Sequence, residues 1–378
     1  MQLAVVESIH DIQPEDWNAL TGTGNPFLRH AFLAALETHG AVGRDSGWHP
    51  QYLTVTDHQR LLGAVPLFLK DHSFGEFVFD WSWAEAYARA GLDYYPKLIA
   101  AVPYTPVTGH RLLIHRQTDR AKVVAALVEG ALEHAGQLQL SSLHWLFVTE
   151  PEQLALADHG LLLRRGCQFH WFNDGYRDFD DFLNSLSSRK RKKIRHERHC
   201  VREQSLEIVV HRGKDIDESL WRRFHRFYKS TFDRKMNFAP LSTGFFIELG
   251  QSMPESTILI LAYQNNHPVA GAFFLRNDDT LYGRHWGCER YFDKLHFELC
   301  YYRAIEYCID NKLQCFEAGA QGEHKLTRGF RPVITTSAHW LAHAEFRSII
   351  REFLARESRA VTHYAEEMNH HLPYRQMT

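Results

Sequence analysis

Residues 256–287 read STILILAYQNNHPVAGAFFLRNDDTLYGRHWG. Apolar runs at 256–263, 268–276 and 279–287 are parted by QNNH and NDD, whose Asn and Asp residues suit tight turns, so three antiparallel strands are expected. A helix over 293–311, a strand at 313–319 (LQCFEAG), a loop, a strand at 335–342 and a closing helix at 345–369 follow. Strands succeeded by a crossover helix and another strand place the region in the α/β class.

Working outward, a helix over 178–203 leads into a strand at 206–211 (LEIVVH) and helices at 217–233 and 242–251. The first half repeats this order. A helix spans 26–39, with Asn25 as N-cap and Pro26 at its first position, and a hairpin (51–56 and 61–70) turns at DHQR. A helix from about 119 to 135, a strand at 141–149, a short helix after Pro151 and a strand at 161–172 complete it. Recurrence of element order without obvious sequence identity predicts duplication of one α/β unit. A length of 378 residues agrees, since single cores stop growing near ~250–300 residues. The expected domains are 1–168 and 169–378, the second including the basic helix 178–203, with mixed, mostly antiparallel sheets flanked by helices.

Composition narrows the class. The chain is 44% hydrophobic and 23% charged, with no run approaching the ~18 apolar residues of a membrane span and an N-terminus that soon turns acidic. A cytoplasmic protein is expected. The six cysteines make no CxxC pair, and the 25 histidines are scattered without HExxH spacing, so neither a disulfide framework nor a bound metal is expected.

Net charge is −2, yet residues 189–202 hold eight Lys/Arg against the single Glu197. On a helix, Arg191, Arg195, Arg198 and Arg202 fall at i, i+4, i+7 and i+11, a stripe of guanidinium groups suited to phosphate. The bland alternative is a solvated charged face. In FVFDWSWAEAYARAGLDYY (77–95), Asp80, Trp81, Trp83 and Tyr87 offer aromatic walls and a carboxylate for a sugar, peptide stem or cationic amine; core packing explains the aromatics equally well. The loop AGAQGEHKLTRGF (318–330) follows a strand, and Gly319, Gly322 and Gly329 permit close backbone approach.

Three stretches carry a resemblance: GEFVFDWSWAEAYARAGLDYYPKL (75–98) continuing to PYTPVTG (103–109); SSRKRKKIRHER (187–198); and LYGRHWG (281–287) through LHFELCYY (295–302) to FEAGAQGEHKLTRGF (316–330). Together they resemble the FemAB-like predicted peptidoglycan biosynthesis or recognition proteins, a branch of the tandem GNAT-fold N-acyltransferases. The resemblance implies two GNAT-type domains and transfer of an acyl or aminoacyl group, from acyl-CoA or aminoacyl-tRNA, to the amine of a small molecule or peptide. No tightly bound cofactor is expected. Neither GHRLLIHRQTD (109–119) nor CERYFDKLHFE (288–298) matches the Q/R-x-x-G-x-G/A pattern of CoA-dependent GNAT domains, which leaves CoA unassured and tRNA a candidate partner.

Lys325 matches the lysine that Fem-like transferases carry after the corresponding strand, where it would stabilise phosphate or oxyanion charge. Acylating an amine also needs a base. His285 and Glu298 rank first, beside Glu317 and Glu323. Arg284 and Trp286, flanking His285, join Glu323 and Arg328 as expected substrate contacts. A non-catalytic protein that recognises RNA or a cell-envelope precursor through a degenerate cleft is the competing reading.

Overall fold

A computed structural model of the protein describes residues 1–21, 24–320 and 322–375; Gln321 of the glycine-rich loop lies outside them. The chain divides into two compact units, Met1–Cys167 with Ile334–Tyr364, and Gln168–Val333 with Ala365–Thr378. The units part at 167/168, 333/334 and 364/365. Residues 334–364, which element order groups with the second half, pack instead in the first unit. Residues 338–341 pair with Ser142–Trp145, and Leu341, Ile350 and Leu354 are buried with Trp83, Tyr87 and Tyr94.

In the first unit the strands Gln2–Val6, Tyr52–Asp57, Arg60–Val65 and Leu113–Ile114 form an antiparallel sheet in that order. Its hairpin turns at His58 and Gln59, both with positive φ. Pro66, lacking a donor N–H, interrupts the apolar run, and Leu67–Lys70 pairs elsewhere, between Trp48–Pro50 and Lys97–Ala100. Lys97–Ala100 then runs parallel to Ser142–Trp145, with the helix Arg120–Gln137 lying between them in sequence. The Asp119 carboxylate caps that helix on the Lys122 N–H at 3.3 Å. Val123, Leu127, Val128, Ala131 and Ala135 make its buried stripe, each Val or Leu contributing ~1.5–3 kcal/mol against Leu53, Leu98, Leu143 and Trp145.

In the second unit Glu207–Arg212, Thr257–Gln264, His267–Arg276 and Thr280–Cys288 pair antiparallel in succession. Cys315–Glu317 runs parallel to Thr280–Cys288, and residues 170–172 pair antiparallel with its other edge. A parallel neighbour requires a crossover, here the helical stretch from Leu295 to Asp310. Trp221, Phe224, Phe246 and Phe273 interlock edge to face and face to face between the helices Glu218–Asp233 and Thr243–Ser252 and the sheet.

Two local expectations change. The helix expected over 178–203 is two, Phe179–Ser185 and Ser188–Arg202, because Leu186 is extended and bridges Tyr374 while the Ser187 N–H donates to Pro373 O. The aromatic stretch whose tryptophans alternate in sequence forms the helix Trp81–Arg89, so Trp81 and Trp83 stand on different faces of it.

Candidate active site

The second unit contains a strand that is held differently at its two ends. Thr280, Leu281 and Tyr282 pair with Cys315, Phe316 and Glu317, and there the parallel ladder stops. On its other edge Phe274 pairs with Gly283 but Phe273 with His285, so Arg284 is the extra residue of a β-bulge. Such a bulge bends the strand and re-aims its side chains. Beyond it the strand is fastened to the helix Glu218–Asp233. Thr231 Oγ1 donates to Trp286 O (2.9 Å) and Ser230 Oγ to Cys288 O (3.1 Å). Gly287 is required between them, since a Cβ there would lie 1.8 Å from Phe227 O.

After Glu317 the chain enters the glycine-rich loop and a 3-10 helix, Glu323–Arg328. Arg328, 3% exposed, fixes this segment. Its Nη2 reaches both Glu197 oxygens, its Nε donates to Tyr302 OH (3.0 Å), and its guanidinium lies 3.6 Å over the Phe297 ring. Tyr302 OH also donates to Glu197. Tyr302 ends a π-helical turn, Glu298–Tyr302, a distortion that recurs at functional sites.

The clamp leaves Lys325 1% exposed, with Nζ donating to Gly319 O at 2.5 Å and no carboxylate ion pair among the described residues. Burial lowers its pKa to about 7, weakly opposed by Cys300. On the preceding strand the Glu317 carboxyl has its Oε2 buried without a partner among the described residues, and burial pushes it up to about 8 against the opposing pull of Arg284. His170, the register partner of Glu317, is lowered to about 4 by burial and then by Lys325. The ligand atoms of His170, Cys315 and Glu317 lie within 4.8 Å of one another.

The other expected residues fall in several places. His285 packs on Tyr228 (4.8 Å) and Phe246 (6.4 Å), and burial followed by Arg284 holds it far below the usual imidazole range. Glu298 is buried in ion pairs with Arg198 (3.0 Å) and Arg303 (3.1 Å), although its Oε2 lacks a partner among the described residues. Trp286 meets His296 edge-on at 4.7 Å, and Glu323 is exposed at the start of the 3-10 helix. Arg284 is half-buried at the bulge, lowered to about 10 by burial despite Glu317.

The arginine stripe is heterogeneous. Arg202 is exposed, Arg195 is exposed and pairs with Asp180 (3.1 Å), and Arg191 is half-buried with Nη1 unpartnered among the described residues. Arg198 instead bonds Glu306 (2.6 Å) and Glu298 and lies over Phe179.

Asp80, Trp83 and Tyr87 belong to the interior of the first unit. Asp80 is 2% exposed, accepts from Lys97 Nζ and from Tyr94 OH (2.6 Å), and Lys97 also bonds Glu76 (2.8 Å). Trp83 packs on His339 and Tyr87 on Phe346, while Trp81 is exposed against Phe74. Sequence reasoning did not single out His170 and Cys315. The residues between the two strands they occupy hid that adjacency, and only their i, i+2 alternation with Gln168 and Glu317 hinted at a shared face.

Two mixed α/β units, each with a parallel strand pair and an intervening helix, define a tandem GNAT-type fold. The chain belongs to the FemAB-like family, described as peptidoglycan biosynthesis/recognition, whose model it matches over residues 8–376. Among solved structures it is similar to FemX, at 11% identity and a TM-score of 0.54 over 93% of this chain and 100% of that one. It is also similar to the C-terminal DUF2156 domain of a putative lysylphosphatidylglycerol synthetase from Agrobacterium fabrum (8%, 0.53, 90% and 95%). A third is L-PGS from Bacillus licheniformis (9%, 0.51, 86% and 95%). At such identities the likeness concerns the fold. No curated protein sequence matches the chain. No helix among the described residues is long and apolar enough to cross a membrane.

Proposed function

We propose that the protein is an N-acyl- or aminoacyltransferase acting on the amine of a peptidoglycan-type precursor, with Lys325 at its chemical centre. The observation that carries this reading is a buried lysine with no carboxylate partner among the described residues, beside the end of a parallel ladder. An attacking ammonium must lose a proton before it can bond to an acyl carbon. Lys325, lowered to about 7, is matched to accept that proton at neutral pH. As an ammonium it then faces the oxyanion that develops on the acyl oxygen, a charge worth most where water is excluded. Collapse of the tetrahedral intermediate expels the donor's leaving group, a ribose hydroxyl for aminoacyl-tRNA or a thiol for acyl-CoA.

Two features favour a polyanionic aminoacyl-tRNA as donor. Arg195, Arg202 and the half-buried Arg191 lie on the helix that Glu197 ties to the Lys325 loop. The glycine-rich pyrophosphate pattern is absent from 109–119 and 288–298. The test incubates the protein with labelled aminoacyl-tRNA or labelled acyl-CoA and a peptidoglycan peptide precursor. Label in the precursor amine from the tRNA donor is expected. Binding of the precursor without label transfer from either donor would replace the enzyme reading with recognition.

A further inference from the structure

We propose that His170, Cys315 and Glu317 form a binding site for one zinc-class divalent cation. The site arises from strand register. Glu317 pairs with His170 across an antiparallel ladder, and Cys315 lies two residues before Glu317, so alternation puts all three side chains on one face. Their donor atoms are already within 4.8 Å of one another. Ligand bonds of about 2.0–2.3 Å then need only side-chain rotation to converge on one ion.

The donor set selects the metal. An imidazole nitrogen, a thiolate and a carboxylate suit zinc, cobalt(II) or ferrous iron, whereas calcium and magnesium take oxygen ligands. A dication with one thiolate, one carboxylate and a neutral imidazole is an assembly of zero net charge, which lowers the penalty of burial. On binding, the protons of the Cys315 thiol and the Glu317 carboxyl leave to solvent, and a sulfur and a carboxylate lone pair form the metal bonds. An independent observation points to an occupant: Glu317 Oε2 is buried and has no partner among the described residues, and a native interior rarely leaves such an oxygen unsatisfied. Gln168 Oε1 lies 3.3 Å from His170 Nε2, an outer contact that orients the ring. Arg284 and Lys325, the neighbouring cations, oppose metal charge, so retention depends on the thiolate.

The inference does not rest on the transfer chemistry, and its test reads the metal rather than turnover. Full-length protein, purified without a metal-affinity tag and treated with chelator, is titrated anaerobically with cobalt(II). A thiolate-to-cobalt charge-transfer band saturating at one equivalent, and bleached by zinc, is the expected result. Cys315→Ser should abolish the band, and His170→Gln should weaken cobalt binding by at least ~10-fold. Cys308→Ser, at a thiol near Cys315 but outside the triad, should keep the band. No band in the unsubstituted protein overturns the proposal even if a variant misfolds. A band that survives Cys315→Ser, or that vanishes with Cys308→Ser in folded protein, overturns it as well.

Discussion

Arg328 Nη2 lies 3.1 Å from Glu197 Oε1 and 3.0 Å from Glu197 Oε2, a two-point ion pair buried on both sides that joins the Lys325 loop to the basic helix. Sequence reasoning assigned Arg328 to substrate, but its hydrogen bonds are directed to Glu197, Tyr302, His324 and Thr327. Glu197→Gln leaves a buried guanidinium without its counter-charge, and breaking such a pair costs about 3–5 kcal/mol. Thermal denaturation should show a clear fall in Tm. An unchanged Tm would mean that solvent reaches the pair.

Lys325 sets a pH dependence. Cys300 faces it from the π-turn, and His170 on the strand, His296 and His324 lie close enough for its charge to lower their pKa values. As a base it must be neutral, so kcat/KM should rise with pH and level off above about 7. Lys325→Arg, permanently charged, should lower kcat by at least ~100-fold, as should Lys325→Ala. If Lys325→Arg retains activity, the lysine provides charge alone.

The same group contributes to stability with a definite sign. Its folded pKa is depressed from 10.5 to about 7, so between these values the unfolded chain binds more protons and stability increases with pH. Lys325→Met should therefore raise Tm more at pH 6 than at pH 9. Equal shifts at both pH values would place the folded pKa near that of a solvated lysine.

The arginine stripe should divide by partner. Replacing Arg191, Arg195 and Arg202 by Gln should lower the salt slope of tRNA binding by about 0.7–0.9 for each phosphate no longer neutralised, with little change in Tm. Arg198→Gln should act on stability, because it uncovers Glu298 and Glu306. A flat salt response in the triple variant would return the helix to a solvated face.

Asp80 belongs to stability of the first unit. Burial acts to raise its pKa, but Lys97 and then His144 outweigh it and hold the group down to about 2. A depressed carboxyl stabilises the fold above its unfolded pKa, and that contribution disappears as pH falls through about 2. Asp80→Asn should cost about 3 kcal/mol at pH 7 and progressively less in acid. Chemical denaturation at neutral and acid pH measures the difference, and a pH-independent effect would point to packing instead.

The element order, the turns at His58–Gln59 and at QNNH, and the lysine-bearing loop were legible locally because periodicity and turn chemistry act within a few residues. The two-helix break at Leu186 was not, because it depends on Pro373 and Tyr374, near the far end of the chain. Charge type was visible at Arg198, Arg328, Asp80 and Glu298. Their burial with counter-charges was not, and burial decides whether a charge meets solvent or a partner.

A mixed α/β chain, one concentrated basic helix and a glycine-rich loop carrying Lys325 could all be read from residue order alone. Packing decided that residues 334–364 complete the first unit, and that His170 comes to lie beside Cys315 and Glu317. Packing also decided that Lys325 loses water without gaining a carboxylate among the described residues. The physical reason is common to all three: sequence periodicity specifies which face of an element is apolar, whereas the neighbour across a ladder or beneath a loop depends on how distant faces pack.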